Sequence, residues 1–240
     1  MTNKTIKFLI SSLCTILALF ICIHTNAVEL ETKSEEQQSV KAAHTLQFWC
    51  SNATEIAYWR SIPSDINSCY LDGNTLFDTG MQTAVTNWRN ALGCTLNYNP
   101  VNKNFTTNGG IIIYGGSYGE IYDTGDFTST EVYGTDEYGY LKSGYVQLSR
   151  VQDGVSYITS SGITVTGSYI TKARGFVADK GTGSNYTNQY KKTCTHELGH
   201  ALGWLGHSSN SSDIMYGLST SVTALTNRDI NHLLQIYNIW

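Results

Sequence analysis

Between Thr193 and Gly217 the chain reads TCTHELGHALGWLGHSSNSSDIMYG. This run sets His196, Glu197 and His200 within about one helical turn, then Gly203, a third histidine at His207, and Met215. A helix brings residues four apart onto one face, so the imidazoles of His196 and His200 can bind one metal ion. Glu197, beside the first imidazole, can reach a water held on that metal without being a ligand itself. The chemistry this implies is hydrolysis at a catalytic zinc, which takes three protein ligands and keeps a fourth position for water.

The third ligand has to come from outside the helix. No glutamate follows Glu197, which leaves His207, Asp213, Asp229 and His232. His207 follows a glycine-rich turn that can fold the chain back under the helix, and it is favoured. His232 is expected on the polar side of the last helix, at the surface. An isolated HExxH often means nothing, but here a glycine turn, a third histidine and a methionine accompany it. On this reading zinc acidifies its water and polarises the substrate carbonyl. Glu197 takes the water proton, the hydroxide attacks the peptide carbon, and Glu197 hands the proton to the departing amine. No serine or cysteine nucleophile is needed, and Cys194 is expected on another face of the helix from His196.

Several elements must position these groups. The zinc helix is expected to start near Asn188 and end around Gly203 to Gly206. An earlier helix over 77–92 carries Phe77, Met81, Ala84, Val85, Trp88 and Leu92 at core spacing, with its start signal in Asp72 to Thr75 and its stop at Gly93. Strands are expected at 56–63, 95–99, 110–115, 145–149 and 170–179. The loop from Tyr118 to Tyr140 holds Glu120, Asp123, Asp126, Glu131, Asp136 and Glu137 among glycines. It lacks the EF-hand spacing and reads as a solvated acidic loop, with Ca2+ left open as a second ion. A final helix, NRDINHLLQIYNIW, places Ile230, Leu233, Leu234 and Tyr237 on one face. No internal repeat is present.

The 240 residues suit one catalytic domain with processing segments. A hydrophobic content of 41% suffices for a core, and the abundance of Tyr and Gly with only two prolines favours strands and polar loops. Residues 1–27 have a basic start at Lys4 and Lys7, an apolar run from Phe8 to Ile23 and a cleavage site at Thr25-Asn26-Ala27. They are expected to be a cleaved secretory signal, the alternative being a short membrane anchor. Residues 28–45 read as a flexible leader or short pro-segment, and 46–240 as the catalytic domain. The net charge of −4 becomes −6 once Lys4 and Lys7 leave with the signal, and no basic cluster occurs. That argues against nucleic acid or an anionic membrane as partner. Four cysteines remain in the exported chain. Cys50–Cys69 and Cys94–Cys194 are the expected disulfides, and buried free thiols the alternative.

At these residues the chain resembles the metzincin clan of zinc endopeptidases and, within it, the matrixin-like group. The resemblance covers about residues 46–240 and is tight around 193–217 and 225–237. It implies an α+β fold: a twisted mixed sheet of about five strands, the zinc-binding helix, a methionine turn and a closing helix. It also implies that His196, His200 and His207 bind zinc, that Glu197 is the general base, and that Met215 floors the metal with Asp229 beneath it. A protein or peptide substrate would add to an edge strand near 144–149, and the segment from Tyr216 to Thr223 would wall a specificity pocket. The chain departs from the group in four ways. HELGHALGWLGH has one residue more before the third histidine than HExxHxxGxxH. No cysteine-switch sequence precedes the domain. The histidines of a second, structural zinc are missing. Arg228 replaces the acid that binds a new amino terminus. The expectation is therefore a secreted, monomeric zinc endopeptidase. A zinc amidase acting on cell-wall or other non-protein amides is one alternative, and a binding module on the same fold another.

Overall fold

The computed structural model describes residues 45–46 and 55–237, apart from 107, 137, 138, 160, 161, 163 and 219. The signal segment, nearly all of the leader, and Cys50 lie outside the described residues.

The run GIIIYGG shows no alternation of polar and apolar residues, the pattern of a strand buried on both faces. It is strand β5, Gly110–Gly116, and its residues serve two cores. Ile111 and Ile113 join the larger cluster, while Ile112 and Tyr114 join a smaller one with Phe127, Val132 and Phe176. Around it lie β1 (Thr45–Leu46), β2 (Glu55–Tyr58), β3 (Asp65–Tyr70), β4 (Asn97–Val101), β6 (Gly144–Thr159) and β7 (Thr164–Ala178). They form one mixed sheet in the order β1-β6-β7-β5-β3-β4, with β2 paired to β7 at residues 166–169. Pairing is parallel except between β6 and β7.

The fold is α+β, with seven strands among the described residues where about five were expected. The additions are the two-residue β1 and the interior strand β3, whose sequence DINSCY hides its burial. Asn67 and Ser68 point into the protein, and the Asn67 amide donates to Ile111 O at 2.9 Å while its oxygen accepts from Asn99 Nδ2 at 2.8 Å. Buried amides satisfied in this way cost little, and they erase the hydrophobic signal on which a sequence reading depends. The β6–β7 hairpin also runs well past the expected 145–149 and 170–179. Its extension is rich in Ser, Thr, Gly and Tyr, and bulges break its register after Ser149 and Gln152.

Helix α1, Thr75–Leu92, starts at Asn74, whose side chain accepts from Leu76 N at 3.0 Å. Its buried stripe of Phe77, Met81, Ala84, Val85 and Trp88 matches the expected spacing. The acidic loop contains two short helices, α2 (Tyr118–Asp123) and α3 (Ser129–Tyr133), each closed by a capping box from Glu120 or Glu131. Asp126 takes the Tyr114 hydroxyl and lies 4.0 Å from Arg174, while Asp136 caps Tyr140 N. These carboxylates are spent on protein partners, and among the described residues no acidic cluster there could hold an ion. The calcium expectation is not supported. Helix α4, Thr187–Ala201, and helix α5, Asn227–Tyr237, complete the larger core with α1.

Two further expectations change. Cys69, Cys94 and Cys194 are free thiols. Cys194 packs at the start of α1, where a Cβ on Gly80 would lie 2.8 Å from its sulfur, whereas Cys94 lies beyond the other end of α1. From Gly80 to the helix's C-cap at Gly93 is thirteen residue steps, a rise of about 20 Å, so these two cysteines cannot pair. His232 is buried at 1% exposure rather than lying at the surface. The inward face of α5 is Asp229, His232, Leu233 and Ile236, one residue out of phase with the expected stripe, and the His232 ring packs on Trp204 with centroids 4.0 Å apart.

Candidate metal centre

Helix α4 is held by packing more than by propensity, since TCT in mid-helix is a poor helix former. Thr195 turns its hydroxyl back onto Lys191 O at 2.7 Å, and Trp88 of α1 donates its indole N–H to Thr195 O at 2.8 Å. Tyr190 ties the first turns down, with its hydroxyl accepting from Asn74 Nδ2 and Lys180 N and donating to Asp179. Nearly every residue from Lys192 to Gly199 is buried as a result. The ring positions of His196 and His200 therefore follow from the core.

Each of those rings is fixed by its Nδ1. His196 Nδ1 lies 2.8 Å from Ile214 O, and His200 Nδ1 lies 2.7 Å from Trp204 O. A carbonyl oxygen can only accept, so Nδ1 carries the proton in both rings and both Nε2 atoms present lone pairs. Those two Nε2 atoms face each other at 3.0 Å. Two lone pairs that close repel each other unless a cation lies between them. The separation is less than twice the zinc–nitrogen distance of about 2.0–2.1 Å, so one ion reaches both.

The chain returns the third histidine through a Schellman turn. Gly203 N–H bonds His200 O and Trp204 N–H bonds Gly199 O, both at 3.0 Å. Gly203 has φ +113 and Gly206 φ +74, and a Cβ on Gly203 would strike Ala57 O. The extra residue lies in this turn, between Gly203 and His207. The His207 ring sits 5.2 Å from both other rings, stacked on His196, and one nitrogen from each of the three lies within 4.8 Å of the others. Burial, followed by the neighbouring charges, drives the His196 pKa well below its usual value and that of His200 down to about 3. Both imidazoles are neutral at physiological pH, the form that ligates metal.

Beneath the rings the chain makes a tight turn. Ser208 N donates to Met215 O at 2.8 Å, and Met215 is fully buried with its sulfur against Gly199, where a Cβ would come within 2.5 Å. Asp229 accepts from the backbone of Ile214, Met215 and Thr226 at 3.0, 3.2 and 2.8 Å. A second carboxylate, a candidate ligand from the sequence, has a different role here. Asp213 receives the Arg228 fork at 2.9 and 3.0 Å, Thr226 Oγ1 at 2.7 Å and Ser208 Oγ at 2.5 Å. Burial would raise its pKa, but these donors hold it below the usual carboxylate range. Asp213 and Asp229 were both weighed as third ligands, and the structure sets both into the floor.

A family model deepens this picture: that of the matrixins, peptidase family M10, matches residues 72–238. The chain belongs to the matrixin family. Matrixins are zinc-dependent peptidases, and the three imidazoles of this one fit a zinc ion by donor type and spacing. Among curated proteins no match to the chain is found.

In this matrixin Glu197 is buried next to His196 and lies under the start of β6, where a Cβ on Gly144 would overlap its carboxylate. Burial raises its pKa to about 8, against the opposing fields of Lys192, Lys180 and Lys142. Lys192 was not anticipated from the sequence. It is 7% exposed, and its ammonium donates to Tyr216 O at 3.1 Å and Leu218 O at 3.0 Å. A heptad pattern or motif search passes over a lysine at a helix's inner face, and only the unusual charge in an otherwise buried stretch could have marked it.

Proposed function

We propose that this matrixin is an exported endopeptidase in which His196, His200 and His207 hold zinc and Glu197 serves as general base. The observation that carries the reading is the pair of Nε2 lone pairs facing each other at 3.0 Å, with Glu197 buried beside them. Zinc bound there supplies a more acidic water and polarises the carbonyl of the bond to be cut. Glu197 accepts a proton from the attacking water and returns it to the departing amine nitrogen as the C–N bond breaks. Glu197 is placed for both transfers, since its carboxylate is buried beside His196 and directly under Gly144 at the strand edge. The Ile214 and Trp204 carbonyls keep the rings of His196 and His200 in the ligating tautomer throughout.

The sheet supports a peptide as the substrate class. Over residues 144–149 β6 pairs on one side with β7 and, among the described residues, presents its other edge unpaired. An extended peptide can add to that edge main chain to main chain, and Gly144 brings the edge directly over Glu197. A free strand edge favours a peptide over an amide of another class. Export rests on the pattern of residues 1–27, and no helix among the described residues is long and apolar enough to cross a membrane.

Purified protein should cleave casein, lose that activity to a zinc chelator, and lose at least about a thousand-fold with Glu197→Ala, as the general-base and proton-return steps both depend on it. Full activity in Glu197→Ala would overturn the proposed role.

A further inference from the structure

The inner face of α4 carries a charge that the proposed mechanism does not use. Lys192 precedes His196 by four residues and so lies on the same helix face, about 6 Å along the axis. Its ammonium holds the carbonyls of Tyr216 and Leu218. Between these two carbonyls is Gly217, where a Cβ would lie 3.1 Å from the His207 ring. Lys192 therefore joins the metal-site helix to a segment that touches the third imidazole. Two neutral carbonyls satisfy hydrogen bonds but do not balance a charge. The fields of Glu197 and Asp229 reach the ammonium, and that of Lys180 opposes them. Among the described residues, however, no carboxylate lies within ion-pairing distance of it. A cation that is 7% exposed with no counter-charge in ion-pairing distance is costly, and a purely structural clamp on two carbonyls would not need one, since a neutral donor could hold them.

From this we infer that Lys192 forms a carboxylate-recognition subsite, so that the protein selects peptides bearing a carboxylate within two residues of the bond to be cut. The inference rests on the peptidase reading above. An extended chain advances about 3.3 Å per residue, so a group one or two residues from the reacting carbonyl spans the helical turn between His196 and Lys192. The carboxylate comes from a Glu or Asp side chain or from the carboxyl terminus of a short peptide. The Lys192 ammonium has three donors and gives two to the protein, leaving the third for the ligand. In a chain with a net charge of −4, such a preference runs against the overall field and so has to be local.

The test measures binding as well as turnover, so that it survives failure of the catalytic reading. Zinc-loaded Glu197→Ala protein is titrated calorimetrically with amidated peptides differing only by Glu or Gln at the two positions on each side of the bond. A second pair carries no acidic side chain and differs in a free or amidated carboxyl terminus. At one of these positions the carboxylate peptide should bind about ten-fold more tightly than its neutral partner, the usual effect of a charge-assisted hydrogen bond. The pair that shows the effect identifies the source of the carboxylate. Adding Lys192→Met should bring that ratio to about one, and Lys192→Arg should keep it above one. Equal binding within every pair would overturn the inference. So would a Lys192→Met protein that weakens both members of a pair alike and keeps their ratio, since that is the behaviour of a clamp on Tyr216 and Leu218 alone. In wild type, kcat/KM for the same pairs should follow the binding ratio; absence of cleavage with the ratio intact would count against the peptidase reading and not against the subsite.

Discussion

The floor and the roof of the metal site are built in opposite ways. The centre of the floor is made of three buried polar residues, Ser208, Asp213 and Asp229, which bond to groups within the protein. Asp229 takes three backbone N–H groups, and Asp213 takes an arginine fork and two hydroxyls. The roof is the start of β6, half-exposed, paired on one side and free on the other. A site that must hold an ion in fixed geometry needs the first kind of surface, and one that must accept a passing peptide needs the second. The contrast shows where rigidity and access are divided in this fold.

The largest effect should come from breaking the floor. Asp229→Ala leaves three buried N–H groups without an acceptor and should cost about 3–5 kcal/mol of stability. Thermal unfolding should show the loss and elemental analysis should show reduced zinc, because Ile214 O and Met215 move with the turn. Retention of both would mean that the floor is not what positions His196.

Next in size is damage to the roof. Gly144→Val puts a side chain where the Glu197 carboxylate sits, so either the edge or the carboxylate must move by an ångström or more. Casein cleavage should fall about a hundred-fold, the scale of a small misplacement at a reacting centre. Zinc content and melting temperature should stay near wild type. A variant that loses zinc instead would show that floor and roof are not independent.

Much of the floor was legible in the sequence, and the roof much less so. Two histidines four apart, the glycine turn and Met215 are local features, and helix periodicity alone places the first pair. The stripe of α1 was equally readable, since Phe77, Met81, Ala84, Val85 and Trp88 recur at the helical period. The strands were harder. In β3 the polar Asn67 and Ser68 are buried, and the amide ladder to Asn99 and Ile111 explains the burial of Asn67. The far half of the β6–β7 hairpin depends on pairing between residues with little hydrophobic contrast. His232 shows a different failure: a polar residue on the inner face of α5 is packed on Trp204, and phase errors of one residue are enough to turn inside into outside. Asp213 and Lys192 needed tertiary structure outright, because their partners are brought to them by the turn.

The buried His232 gives the smallest and most specific effect. Burial holds its pKa down to about 3, below the usual 6.5. Between those values the unfolded chain takes up a proton that the folded chain refuses, so stability falls as pH drops from about 6.5 towards 3. In His232→Leu that acid-side decline in melting temperature should be shallower than in wild type, while zinc content at pH 7 is unchanged. An equally steep decline would place the titrating group elsewhere in the floor.

The central claim is that three imidazoles, the third reached through a turn with one extra residue, hold one zinc. Elemental analysis of purified protein beside His207→Ala tests it most directly. The account predicts about one zinc per chain in the wild type, as for a single catalytic site, and little in His207→Ala. Full zinc occupancy in His207→Ala would contradict it.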